Sequence, residues 1–298
     1  MSTSAATSSV VWTRGRGCSE LARLLGDGKE ERISGDLAGE CIENRATLLV
    51  SRRFPGSFEL VSVAVPVDFE PENVTRVVSA VAGGPHSEFA AQMASDVSDA
   101  LGVEAEMISA ARPGDNKADA EAALEQIGDA VPSLRGRVVE VEGIAELIEE
   151  LDDGALLVIG APGGSWLQRT RFGPGARLRS KAQAGAIVVR RAPERVFHRM
   201  TEPIYVSPLR AADDTLRFHG EGVLAVAEEG LLVGLVRRES LEAAGPSIVE
   251  TLMEDPVSAK VDETVEEAGT LSSTFGNDPI PVTDQDEHLV GALLLPDD

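Results

Sequence analysis

Residues Gly160–Gly175 read GAPGGSWLQRTRFGPG, and the fold of the chain turns on how this stretch is read. It follows a bare apolar run, Ala155-Leu156-Leu157-Val158-Ile159, whose length and composition predict a strand buried on both faces. It ends in Gly173-Pro174-Gly175, and residues 176–182 beyond it read as a helix. Pro174 then stands where a helix start tolerates proline. A buried strand, a glycine-rich loop and a helix N-terminus together make an anion site. Glycines let the backbone approach a ligand closely, and the free N–H groups of the first helical turn point at it.

The local charge bears on the same point. Between Arg169 and Arg199 lie nine basic residues, Arg169, Arg171, Arg177, Arg179, Lys181, Arg190, Arg191, Arg195 and Arg199. Only Glu194 opposes them, in a chain of formal net charge -23. Two readings are open at this level: a phosphate-bearing partner, or a basic face that pairs with acidic neighbours in the same protein. Trp166 within the loop could stack on a base or cover a domain interface.

The glycine spacing, Gly160, Gly163 and then Gly173, resembles the nucleotide loop of the universal stress protein family. The resemblance implies that Gly160, Gly163, Gly173, Pro174 and Gly175 line a nucleotide-binding site. Family members normally carry Ser or Thr after the third glycine; here Pro174 takes that place.

Working outward, the chain alternates strand and helix. Val77–Ala82 is a predicted strand, followed by Gly83-Gly84-Pro85 and a helix from His86 to Leu101 with Phe89, Met93, Val97 and Leu101 on one face. Val74, Val77, Val78 and Val81 also fit a helical stripe, but valine richness and the glycine pair favour the strand. Next come a strand at Val103–Ala110, a helix at Ala118–Ile127, a strand at Arg137–Val141 and a helix bearing Ile144, Leu147, Ile148 and Leu151. The strands at 155–159 and Ala186–Val189 complete five. Such alternation predicts an α/β fold, a five-stranded parallel, doubly wound sheet with helices on both faces and a ligand crevice at the strands' carboxyl ends. The universal-stress-like, adenine-nucleotide-hydrolase-like resemblance spans roughly residues 76–191 and includes Gly83-Gly84-Pro85-His86-Ser87-Glu88. Nucleotide-binding members place an Asp near the end of the first strand. Ala82 holds the matching position, so Ala82 and Gly83 join the implied site. His86 and Ser87 could suggest a base and nucleophile, but no acidic third member is evident and the segment makes an adequate helix start.

Residues 1–72 form an N-terminal segment without assigned chemistry, with strand-like Val10–Thr13, Ala46–Val50 and Leu60–Val67 and a short helix at Cys18–Leu25. Val65-Pro66-Val67-Asp68-Phe69 resembles the opening strand of a universal stress domain, though the better opening lies just downstream. The expected domains are therefore 1–72, 73–193 and 195–298.

Residues 195–298 repeat internally. Met200-Thr201-Glu202-Pro203 is matched by Met253-Glu254-Asp255-Pro256, and Leu232-Val233-Gly234-Leu235-Val236 by Leu289-Val290-Gly291-Ala292-Leu293. Two copies of about fifty residues, each β-α-β-β, suggest a paired module with pseudo-twofold symmetry. It resembles a tandem CBS pair, an α+β module. The resemblance implies a ligand cleft at Arg237 in the first copy and Asp297 in the second. Helix faces carrying Val257, Val261, Val265 and Ala268 are expected to be left for an interface, which predicts a homodimer held chiefly by this region.

The expected function is a cytoplasmic, non-catalytic regulatory protein that senses an adenine nucleotide such as ATP or AMP, or a similar phosphorylated ligand, with no metal required. The alternative is an interaction module whose two sites have degenerated and which regulates a protein partner such as a transporter. Cys18 and Cys41 are too few for a disulfide framework, and His86, His198, His219 and His288 lack metal-ligand spacing. No apolar run predicts membrane insertion, and 50 acidic against 27 basic residues argue against nucleic-acid binding. Lysine is confined to Lys29, Lys117, Lys181 and Lys260. An acidic, lysine-poor surface suits a halophilic protein kept soluble in high salt, where self-repulsion is screened. The melting temperature is accordingly expected to rise as KCl is raised from dilute to molar; a flat or falling curve in a salt series would dismiss the halophilic reading.

Overall fold

The computed structural model describes residues 9–56, 58–142, 146–147, 151, 154–161, 184–218 and 222–295. The chain packs as two units, Met1–Ala192 and Pro193–Asp298.

Short runs of β-branched and small apolar residues in the first unit all enter one sheet of nine strands. In chain order these are β1 (Val10–Trp12), β2 (Glu30–Arg32), β3 (Leu48–Val50), β4 (Ser62–Val67), β5 (Arg76–Val81), β6 (Glu104–Ala111), β7 (Arg135–Glu140), β8 (Ala155–Gly160) and β9 (Ala186–Arg190). The sheet order is β2-β1-β3-β4-β9-β8-β5-β6-β7. The five strands expected from the alternation, β5 to β9, are present and parallel to one another. The sheet nevertheless differs from a five-stranded parallel one. β1 to β4, themselves mutually parallel, extend it through an antiparallel β4–β9 pairing that runs from Val63↔Arg190 to Val67↔Ala186. Residues before 73 thus share the sheet of the residues after it. The physical reason is backbone satisfaction: β4 and β9 would otherwise each present an open edge of unpaired N–H and C=O groups.

Pro66 sits inside this sheet without breaking it. Ser51 N–H donates to Ala64 C=O, so the peptide groups of Ala64, and by the two-residue pleat those of Pro66, turn toward β3. β3 ends at Val50, level with Ala64. The N–H that proline lacks therefore falls beyond the last rung of that ladder.

Helices α1 (Cys18–Gly26), α2 (Leu37–Glu43), α3 (Pro85–Leu101) and α4 (Ala118–Ala130) link the strands. Glycine opens both α1 and α3 in a left-handed or extended backbone that a side chain would oppose, with φ of 72° at Gly17 and 81° at Gly84. Side chains of α1, α3 and α4 share one core beneath the sheet, where Leu21, Ala90, Val97 and Ile127 meet Val77, Leu156 and Ile187. A smaller core on the opposite face gathers Val78, Ile108, Val139 and Leu147. Read outward from the β4–β9 seam, the two halves correspond: β4-β3-β1-β2 against β9-β8-β5-β6, with α1 and α3 on the same face. They are related by a local twofold perpendicular to the sheet, and the first half lacks a counterpart of β7.

The second unit holds two three-stranded sheets, β10 (Tyr205–Val206), β11 (Val223–Glu228) and β12 (Leu231–Arg237), and β13 (Ala259–Lys260), β14 (Ile280–Thr283) and β15 (Leu289–Leu293). In each, the first pairing is parallel and the second antiparallel. The leading segment of each copy bridges to a last strand in a matched way: Thr201 pairs with Ala292 of β15, and Glu254 with Leu235 of β12. Close approach there demands glycine. A Cβ on Gly291 would stand 2.9 Å from Met200 Sδ, and one on Gly234 would stand 2.8 Å from Glu254 O. The expectation that Val261 and Ala268 lie at an open interface is corrected: both are buried within the unit, and Val257 and Val265 are partly covered. The exposed large apolar side chains are instead Ile204, Tyr205, Leu209, Leu231, Ile248 and Leu294.

At the seam, Gly185 enters β9 with φ of +87°, and a Cβ there would lie 2.6 Å from the carbonyl carbon of Asp68 and 2.7 Å from Val67 O. Both obstacles are backbone and cannot rotate away. Gly185→Ala is expected to destabilise the first unit by about 2–4 kcal/mol, read as a lowered urea midpoint; an unchanged midpoint would mean that the seam tolerates displacement.

Candidate functional site

β5 is the strand from which the chain of the second half departs in both directions. It leads through α3 to β6 on one side, while β8 lies on its other side. Their carboxyl ends therefore part at a switch point, the place where doubly wound sheets leave a crevice. Ala80 and Ile159 are register partners, so one step on Val81 is level with Gly160 and two steps on Ala82 is level with Ala161, with Gly83 just beyond. Three of the residues expected in the nucleotide site, Ala82, Gly83 and Gly160, are thereby assembled. Gly163, Gly173, Pro174 and Gly175 lie outside the described residues, as do Trp166, the helix expected at 176–182 and the basic residues from Arg169 to Lys181.

The glycines here serve different purposes. Gly83 has a φ of +83° and nothing within 4 Å of a Cβ, so the backbone turn requires it. Gly160 is required by contact: a Cβ would stand 2.8 Å from both C and O of His86. The first turn of α3 packs directly on the end of β8. Ala82 N–H donates to Ser87 Oγ at 3.1 Å, closing the loop onto the helix, and Ser87 is buried. The hydroxyl serves as a cap for the loop. The imidazole of His86 is likewise engaged, its Nδ1 accepting from Arg191 N–H at 3.2 Å. Burial, with Arg190 adding to it, holds the His86 pKa below its ordinary value. A neutral ring suits that acceptor role. No nucleophile–base pair forms between them, in keeping with their reading as a helix start.

The basic residues described between Arg190 and Arg199 have partners in the chain. Arg190 stacks on Phe54, 4.6 Å from the ring centroid, and donates to Gly56 O at 3.3 Å. Arg191 pairs with Glu88 at 2.6 Å, Arg195 donates to Asp262 O at 3.0 Å and Arg199 pairs with Glu194 at 2.7 Å. For these four, Glu194 is not the sole opposing group. Glu88 comes from a helix more than a hundred residues earlier, and no local pattern announces such a meeting.

In the second unit Arg237 closes β12, and its Nε donates to both carboxylate oxygens of Glu254, at 3.1 and 3.2 Å. That ion pair joins the end of the first copy to the leading segment of the second. The other implied cleft residue, Asp297, lies outside the described residues. A contact that sequence reasoning missed ties the copies together: Val223 N–H donates to Asp278 Oδ2 at 2.9 Å, and Gly222 packs on the same carboxylate. Asp278 lies in the Asn277–Asp284 stretch that carries the CBS resemblance. Lys260 forms a further node, donating to Thr283 Oγ1 at 3.2 Å, Asp284 O at 3.0 Å and Glu287 Oε1 at 2.6 Å.

Among the described residues no three His, Cys, Asp or Glu side chains gather as a metal-ligand set, and no helix is long and apolar enough to cross a membrane. Both cysteines are free and buried. Burial raises their pKa values, Cys18 to about 11 and Cys41 to about 12, so neither is an ionised nucleophile near neutral pH.

No protein-family model matches the chain, and no curated protein matches it. Several solved structures resemble part of it. The CBS-pair protein CBSX2 from Arabidopsis thaliana is 24% identical over 35% of this chain and 89% of its own, with a TM-score of 0.31. CBSX2 in complex with AMP is 24% identical over 34% of this chain and 90% of its own, with a TM-score of 0.30. The cytosolic domain of the Mg2+ channel MgtE in complex with ATP is 24% identical over 34% of this chain, with a TM-score of 0.31, and the match spans 46% of that domain.

Proposed function

We propose that this chain is a non-catalytic regulatory protein that senses an adenine nucleotide or a similar phosphorylated small molecule through its paired C-terminal module. The observation that carries the proposal is the interlocking of the two copies. The leading segments meet Gly291 and Gly234 in matched fashion, and Asp278 of the second copy accepts from Val223 of the first. A ligand seated between such copies acts on both at once, which is what a sensor needs to convert binding into a change of shape. The universal-stress-like resemblance of residues 76–191 adds a second nucleotide crevice at Ala82, Gly83 and Gly160. The proposed working state is a cytoplasmic homodimer, which light scattering in molar KCl tests; a monomer at tens of micromolar would count against it.

A second reading has an observation of its own. Arg237 is already held by Glu254, and Ala82 offers no carboxylate to a ribose, so the module would act on a protein partner such as a transporter without binding nucleotide. Equilibrium dialysis of the full chain against labelled AMP and ATP, the ligands in the CBSX2 and MgtE complexes, separates the two. Saturable binding is expected, and Arg237→Ala is expected to weaken it roughly tenfold or more through loss of a charge-assisted hydrogen bond. Absence of saturable binding up to millimolar nucleotide would select the second reading.

A further inference from the structure

The first half of the large sheet has a switch point of its own. β1 has β2 on one side and β3 on the other, all parallel, and the chain passes from β1 through α1 to β2, then through α2 to β3. The carboxyl ends of β1 and β3 thus part as those of β5 and β8 do, and Thr13 N–H, donating to Val50 O at 3.0 Å, is the last rung between them. Beyond it run Thr13-Arg14-Gly15-Arg16-Gly17 and Ser51-Arg52-Arg53. Thr13 Oγ1 donates to Ser51 Oγ at 3.3 Å, joining the two loops.

Four arginines leave this one place, all exposed, in a chain of net charge -23. Among the described residues only one of the four has an ion-pair partner. Arg16 pairs with Glu70, and the nearby Glu20 accepts from Ser19 Oγ at 2.9 Å. Among the described residues Arg14, Arg52 and Arg53 make neither an ion pair nor a side-chain hydrogen bond. Elsewhere Arg76, Arg137, Arg191, Arg199 and Arg237 each hold a carboxylate, while Arg23, Arg112 and Arg135, which hold none among the described residues, stand singly on other parts of the fold. Arg52 is also placed rather than dangling. Its stem lies on Gly15, where a Cβ would collide with it and would stand 2.9 Å from Cys18 Sγ. Arg52 lies near enough to Cys18 for its charge to act on the thiol.

We propose that the crevice between β1 and β3 binds a small anion bearing more than one phosphate group, held by Arg14 and Arg52 from its two loops. Guanidinium forks match phosphate oxygens two at a time, and a strand-end crevice at a switch point is where α/β sheets take such ligands. Arg53 adds charge at the rim. Gly15 admits the Arg52 stem, so the backbone sequence Arg14-Gly15-Arg16 lets two cations converge from different strands. This site is separate from the C-terminal module and from the Ala82–Gly160 crevice.

Inorganic pyrophosphate is the probe, titrated calorimetrically into the full chain at about 0.2 M KCl, where exposed charge is partly screened. The native protein is expected to bind it saturably. Arg14→Gln and Arg52→Gln are each expected to weaken binding roughly tenfold or more without altering the melting temperature, and Arg52→Lys is expected to fall between. Arg112→Gln, at an exposed site on another loop, is expected to change nothing. No binding by the native protein would overturn the proposal, as would equal affinity in the folded Arg14 and Arg52 variants. The outcome is independent of the sensor reading: loss of AMP binding with pyrophosphate binding intact would remove that reading and leave this one.

Discussion

The antiparallel seam between β4 and β9 is the constraint on which the first unit depends. Five residue pairs, from Val63↔Arg190 to Val67↔Ala186, convert two open sheet edges into the interior of one sheet. A three-residue strand such as β1 or β3 has little to hold it in isolation. Joined through β4 to a five-stranded neighbour, these short strands bury Val10, Leu49 and Val50 completely. The helices follow from the seam as well. α1 and α3 contribute to one continuous apolar layer because the local twofold stands perpendicular to the sheet and keeps both on the same face.

The same arrangement distributes the chemistry. Antiparallel joining sends the carboxyl ends of the two strand sets to opposite ends of the sheet. Each end has a glycine-bearing loop and a helix start, but the side chains differ. At the β5–β8 end, these polar groups among the described residues have partners within the chain: Ser87 caps Ala82, His86 accepts from Arg191, and Arg191 holds Glu88. At the β1–β3 end, positive charge is left standing. An acidic protein that keeps cations unpaired in one spot accepts a local departure from its own field, and the rest of its surface makes that spot the favoured approach for an anion.

Much of this was legible in the sequence, and the reasons for the rest are specific. β5, β8 and β9 could be read because strands covered on both faces carry little but apolar residues, as Ala155–Ile159 does, whereas the edge strand β7 is read from the alternation around it. β2, Glu30-Glu31-Arg32, gave no such signal because it is a sheet edge with exposed side chains. α2 was missed too; its Asp36 cap, accepting from Ala38 and Gly39 N–H, is a signal that could have found it. The direction of the seam is not encoded in any periodicity, since alternation reports faces and not polarity. Gly160 was legible as a glycine that matters, yet whether a ligand or the backbone of His86 demands it depends on a neighbour over seventy residues away. Arg237 illustrates the same limit: its meeting with Glu254 is set by the bridge between Leu235 and Glu254, which exists only once the repeats interlock.

The seam also changes what dilution can do to the molecule. Two sheets that meet edge to edge about a twofold axis have the symmetry of a dimer of identical subunits, whose population falls as the protein is diluted. Here both partners belong to one chain, connected by the short passage from Val67 through Val74 to Arg76. Intramolecular partners meet at an effective concentration on the order of millimolar or above, whatever the concentration of the protein itself. The nine-stranded sheet is therefore insensitive to expression level and to cell volume, and whatever assembly the chain enters can vary with concentration without disturbing it.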